Sequence, residues 1–286
     1  MSDATGDMLN TIETLTDALQ IFLANSAIQK KNEDNRVLMY RGQANQEFDL
    51  SPSIFRNGAL NREVLMIREL KRLAPAEFIN LGSSLDRLIK MQHYGLPTRL
   101  LDITSNPLVA LFFACSDESC QDKDGEVIAF YDYFTPPDSS RVDLYAKLSM
   151  YEGTTHKDLQ HFTSSQESFL DQENEIKRHL LKSYFPEKYL FVSAPMNNER
   201  IRRQHGAFLL FGIDVDEQNN PFQRESFNIK EQIIKDHQDG ICRSFIVPKQ
   251  VKKEILNALD VIGINRSFLF PEFEHQATYV KEKYLD

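Results

Sequence analysis

Between His93 and Asn106 the chain gathers His93, Tyr94, Thr98, Arg99, Asp102, Thr104 and Asn106 within fourteen residues, bracketed closely by two hydrophobic segments. These residue types suit one kind of chemistry. A guanidinium captures phosphate or carboxylate through paired hydrogen bonds, and a carboxylate stabilises a growing positive charge. Two other stretches share the character: Arg41 with Gly42 and Gln43, and Arg200 with Gln204 and His205. Asp102 and His93 are the catalytic candidates. The binding candidates are Arg41, Gly42, Gln43, Tyr94, Thr98, Arg99, Thr104, Asn106, Arg200, Gln204 and His205. A plainer account stands beside this one. Arg99 and Asp102 can pair with each other or satisfy helix ends, Arg41 can pair with Asp102 or another acid, and Gln204 can serve buried backbone groups.

The elements that must position these groups follow from spacing. Leu85, Leu88, Ile89 and Gln92 recur at helical intervals behind Ser84, a capping residue, and Gly95 with Pro97 ends that helix after His93 and Tyr94. Asn106 and Pro107 have the form of a cap and a first helical residue. The helix they open runs to about Ser116 and is apolar all round, the mark of a buried helix. Thr98, Arg99, Asp102 and Thr104 then fall on a short linker between two buried helices. Arg36 to Gln43 reads as a strand ending at Gly42, with Val37, Met39 and Arg41 on one face and Leu38 and Tyr40 on the other. An arginine in line with apolar neighbours, followed by a glycine that lets a ligand approach the backbone, is suited to anion capture.

The rest of the chain supplies the frame. A helix is expected from Met8 to about Ser26, and another from Arg62 to Ile79, broken near Pro75, whose charges, Glu63 among them, form a solvated face. Strands are expected over 125–133, 188–195, 207–213 and 240–247, with a short helix from Asn198 to His205. The tail continues as helices over 249–262 and onward through Tyr284. His156, His161 and His179 lie in a polar helical region at separations that fit no metal signature and receive no role. Strands interspersed irregularly with helices specify α+β: a single compact domain, a mixed sheet with peripheral helices. Residues 1–34 form an N-terminal helical segment and 35–286 the α+β domain.

Composition removes several classes. The 286 residues carry a net charge of −9, which argues against broad nucleic-acid binding and leaves only a local basic groove. Cys115, Cys120 and Cys242 are an odd set without metal spacing, as in a reduced intracellular protein, and Cys115 belongs to the core. No apolar run approaches the roughly 20 residues that span a bilayer. A soluble, cytoplasmic protein without a membrane partner is expected, and its oligomeric state is open. Gly-x-Gly-x-x-Gly, a Walker loop, Gly-x-Ser-x-Gly and His-Glu-x-x-His are all missing, so dinucleotide dehydrogenase, P-loop NTPase, serine hydrolase and zincin chemistries have no support. No metal is expected.

The stretch His93 to Ala114 closely resembles the FRG domain, a family found mainly in bacteria and their phages. Tyr40-Arg41-Gly42-Gln43 resembles its first motif, and Arg200-Ile201-x-x-Gln204-x-Gly206-x-Phe208 and Leu269-Phe270-Pro271-Glu272-Phe273 are further matches. The resemblance spans about residues 35 to 285, and Ile103 stands where the family commonly has an aromatic residue. Tyr40-Arg41-Gly42 is also similar to the first motif of many ADP-ribosyltransferases. That likeness implies glycosyl transfer from NAD or a related nucleotide, with Arg41 and Arg99 on phosphate, His93 or Tyr94 on ribose or base, and Asp102 as the carboxylate. Gly206 stands where those enzymes present a catalytic glutamate, and their Ser-Thr-Ser motif is missing. The alternative implied by the family is a non-catalytic module that senses a nucleotide or nucleic acid in phage–host conflict. No cofactor is specified beyond NAD as a substrate.

Overall fold

Short, near-continuous apolar runs build a six-stranded sheet, covered on both faces, in the computed structural model, which describes residues 11–31, 35–153, 156–165, 189–196, 198–212 and 242–285. Its strands are β1 (Val37–Gln43), β2 (Leu100–Thr104), β3 (Gly125–Asp132), β4 (Tyr189–Ser193), β5 (Gly206–Phe211) and β6 (Cys242–Val247). They lie in the order β4-β5-β2-β1-β3-β6. Among the described residues all five ladders are antiparallel, so the expected mixed sheet is corrected: parallel pairing there is confined to two isolated bridges, Thr11 to Ile246 and Thr135 to Val192. The α+β class stands.

The ladders are unequal. β1 and β3 pair continuously from Val37 opposite Asp132 to Gln43 opposite Glu126, whereas β1 and β2 share one register, Tyr40 opposite Thr104. Beyond that pair the two central strands part. This is the feature that positions the site.

The linker expected over Thr98 to Thr104 is largely strand β2, at the centre of the sheet. Leu101 and Ile103 enter the core on one face, with Leu50, Ile54 and Phe55 folded over them. Leu100 enters a second core on the opposite face, beneath α3 (Ser84–His93) and α5 (Ser140–Lys147). Opposed residues of paired strands point to the same face, so Tyr40 and Thr104 share that second face. There Tyr40 joins a third core, formed with α4 (Pro107–Cys115) and the tail helix α8 (Lys252–Val261).

Other elements follow the pattern, with shifts that have causes. Asn106 caps α4 by accepting from Leu108 N at 3.0 Å, and Pro107 opens the helix as expected. Ser83, one residue earlier than expected, caps α3 in a reciprocal pair with Asp86. The first helix, α1 (Leu15–Lys31), starts later than the pattern at Met8 suggests, because Thr14 and Asp17 exchange capping bonds and Thr11 bridges β6. Ile12, Ala18 and Phe22 enter the core shared with β1 and α4. The expected long helix after Arg62 is α2 (Glu63–Leu73) followed by a 3-10 turn from Pro75 to Phe78. Glu63 is a correction. Expected on a solvated face, it is 1 % exposed. Two more helices are α6 (His156–Ser164) and α7 (Glu199–Arg203). The tail helix breaks at Pro271 into α9 (Arg266–Leu269) and α10 (Phe273–Leu285). His179 lies outside the described residues, and His161 is exposed. Among the described residues no helix is long and apolar enough to cross a membrane.

Candidate functional site

Where β1 and β2 part, the sheet opens into a cavity of about 300 Å³. Its lining comes from separate stretches of chain: Tyr40 to Ala44 of β1 and its exit, Phe48 and Arg56 of the next loop, Asp102 to Thr104 of β2, Val109 and Phe113 of α4, and Ser116 with Asp117 beyond it. Arg200, Ile201 and Gln204 at α7 and Gly206 and Phe208 of β5 complete the wall. All three polar stretches singled out in the sequence contribute to it.

Arg41 enters the cavity lining from β1. Its Nη1 donates to the Asp102 carbonyl at 2.6 Å, bridging the gap that a ladder bond would otherwise close, while its Nε is enclosed with no partner. Loss of hydration pushes its pKa down to about 10, with the Asp102 carboxylate opposing the shift and Arg56 adding to it. Gln43 Nε2 donates to the Phe48 carbonyl at 2.9 Å, and its Oε1 is also enclosed and unpartnered. Asp102 presents its carboxylate from β2, with both oxygens accepting from Gln92 Nε2 at 2.9 Å. Gln92 in turn accepts from Thr98 Oγ1, so the end of α3 holds Asp102 in place through a buried threonine. Arg200 stacks its guanidinium 4.6 Å from the centre of the Phe270 ring, and Gln204 Nε2 donates to the Leu269 carbonyl at 3.1 Å. The tail thereby backs this wall.

Of the other candidates, all but Thr104 lie off the cavity lining. Arg99, 1 % exposed, gives Nε and Nη2 to the Glu63 carboxylate at 2.6 to 2.9 Å and Nη1 to the Gly212 carbonyl at 2.9 Å, so each of its nitrogens is engaged by the chain itself, away from the cavity. His93 sits at the end of α3, its Nε2 3.5 Å from Glu272 Oε1, and its ring meets Tyr94 edge-on at 4.9 Å. Burial lowers the His93 pKa, Arg200 and Lys90 act in the same direction, and Glu272 opposes them. Tyr94 is exposed. Asn106 caps α4, and Thr98 serves Gln92. His205 is exposed in the turn into β5, where its φ of 48° places it in the left-handed region and its carbonyl accepts from Ser105 N. Thr104 lines the cavity, and its hydroxyl donates to the Gln204 carbonyl at 2.6 Å while accepting from Asn106 N.

At Gly42 a Cβ would meet the Ala110 carbonyl oxygen at 1.8 Å, so its bareness serves the close approach of α4 to β1, and the same residue lines the cavity. Arg56, Phe48, Asp117 and Gln92 escaped the sequence reading as site residues. Arg56 and Phe48 lie in an irregular connection with no periodicity to orient them, and Gln92 occupies a position in helical register with the apolar set. Among the described residues no group of three or more His, Cys, Asp or Glu side chains is placed to hold a metal.

Residues 36–123 match the family model of the FRG domain. The match runs from the start of β1 past the end of α4, taking in the floor of the cavity and the β2 and α4 walls, and stops before Arg200 and Gln204. No curated protein and no solved structure matches the chain.

Proposed function

We propose that this chain, an FRG domain protein, binds a nucleotide, NAD or a relative of it, in the cleft between β1 and β2 and transfers its glycosyl group. The observation that carries this reading is the charge arrangement. Arg41, Arg56 and Arg200, from three separate stretches, line one cavity in a chain whose net charge is −9. Such a local concentration of guanidinium groups suits a pyrophosphate, and Phe48 and Phe113 in the same lining suit a base. About 300 Å³ lies at the lower end of the range for small-molecule sites, enough for one half of a dinucleotide with the other half projecting out.

The chemistry assigned to Asp102 is electrostatic. Breaking the bond between C1′ of ribose and the nicotinamide nitrogen leaves positive charge on the sugar, and a carboxylate held in place beforehand stabilises that charge without reorganising. Gln92 supplies the holding. The second reading, a sensing module without turnover, is favoured by one fact: no histidine lines the cleft, and the His93 imidazole faces Glu272.

One measurement separates the two. Purified protein is incubated with NAD, with and without nucleic acid and cell extract, beside Arg41→Ala and Asp102→Asn. Consumption that requires both residues is the expected result. Binding that requires Arg41, with NAD intact throughout, selects the sensing module. Neither binding nor turnover removes the nucleotide reading.

A further inference from the structure

The last helix, α10 (Phe273–Leu285), is held to its own chain through one face. The His275 ring lies 4.9 Å from that of Phe270, and the Tyr279 hydroxyl donates to Asp260 Oδ1 at 3.1 Å beside the end of α8. At about 100° per residue, the opposite face carries Phe273, Ala277, Val280 and Tyr284. All four are exposed, Phe273 at 85 % and Tyr284 at 76 %. Their spacing of four, three and four residues is that of a coiled-coil seam. An apolar stripe left open on a helix anchored from behind marks an association surface.

The order of residues along α10 specifies what covers the stripe. Laid antiparallel on a second copy of itself about a twofold axis, the helix sets Phe273 against Tyr284 of the second copy and Ala277 against its Val280, so aromatic pairs close both ends and the middle packs closely. Glu274 and Lys281 flank the stripe on one side, seven residues apart and both exposed. Antiparallel pairing brings each Glu274 opposite the Lys281 of the other copy, twice over by symmetry. A parallel pair would set Lys281 against the uncharged Gln276 instead. Charge complementarity therefore selects the antiparallel partner. We propose that α10 is the interface of a symmetric dimer, packed antiparallel on α10 of a second copy of this chain. Two helices of 13 residues make a small interface, and dissociation at about 10 to 100 μM is expected.

Sedimentation equilibrium of the full chain, from about 1 to about 300 μM, reads that dimer directly. Glu274→Lys and Lys281→Glu each set like charges face to face at both contacts, and each variant alone is expected to dimerise about tenfold more weakly. An equimolar mixture of the two variants has opposite charges at both contacts again and is expected to associate as the wild type does. Val280→Asp, at an exposed position, is expected to abolish the dimer with thermal unfolding of the chain unchanged. A wild type that stays monomeric throughout overturns the proposal and leaves the stripe to another occupant. A dimer indifferent to Val280→Asp places the interface elsewhere and overturns it as well. Charge variants whose mixture fails to recover overturn the antiparallel order.

Discussion

Arg99, at the entry to β2, is buried and Arg41, in neighbouring β1, is half-buried, and their surroundings differ completely. Arg99 faces a buried carboxylate and a carbonyl, with Nε, Nη1 and Nη2 all engaged. Arg41 has one bond, to a backbone carbonyl, and an enclosed Nε with nothing opposite. Withdrawal from solvent alone therefore says little about whether an arginine serves structure or ligand. The inventory of partners separates them: a charge satisfied by its own chain holds the fold together, and one left unsatisfied beside a cavity is available to something else.

The largest effect should come from the satisfied arginine. Arg99→Met strands the Glu63 carboxylate in a site 1 % exposed, and urea unfolding should show a loss of about 3–5 kcal/mol. Nucleotide affinity per folded molecule should be unchanged. Removing both charges, as Arg99→Met with Glu63→Leu, should recover most of that loss, since no unpaired ion remains. If Arg99→Met folds normally and abolishes binding, the contrast between the two arginines is reversed.

A similar division runs inside the first motif, between Gly42 and Arg41. Gly42→Ala places a methyl 1.8 Å from the Ala110 carbonyl oxygen, which is helix backbone and cannot swing aside, so α4 must shift. A loss of about 1–3 kcal/mol is expected in the same unfolding experiment. Arg41→Met should change stability by less than about 1 kcal/mol, because it removes one hydrogen bond and one unmade donor together. Nucleotide affinity should fall at least tenfold, about 1.4 kcal/mol. Neighbouring residues of one motif would then fail by different routes, and equal stability losses from both would erase the distinction.

The contrast was only half legible in the sequence. α4 and its cap can be read because an apolar run behind Asn106 and Pro107 has few other solutions, and the strand Val37–Gln43 can be read from its apolar run up to Gly42, its two faces following from strand geometry. β2 was not read, since Leu-Leu-Asp-Ile-Thr is too short for a period and its polar Asp102 belongs in a central strand only because the sheet opens beside it. Nor was Arg99 with Glu63. The partners lie 36 residues apart, and Glu63 stands in a helix whose charges otherwise read as solvated. Local pattern shows which residues can do chemistry. Long-range pairing decides which of them are left free to do it.

The smallest effect concerns His93, where the region behind the cavity wall touches the catalytic question. Burial, with Arg200 and Lys90 in the same direction and Glu272 opposing, lowers its pKa below the ordinary 6.5. The unfolded chain therefore binds the proton more readily than the folded one as pH falls through and below about 6.5. The stability associated with neutral His93 is complete above that range and is lost as pH falls toward the folded pKa. In His93→Gln the acid-side decline should be shallower than in the wild type when melting temperature is followed from pH 7.5 to 5. A steeper decline would mean that Glu272 outweighs burial and the two cations, making His93 a charged partner of the tail and giving the wall behind Arg200 a salt bridge of its own.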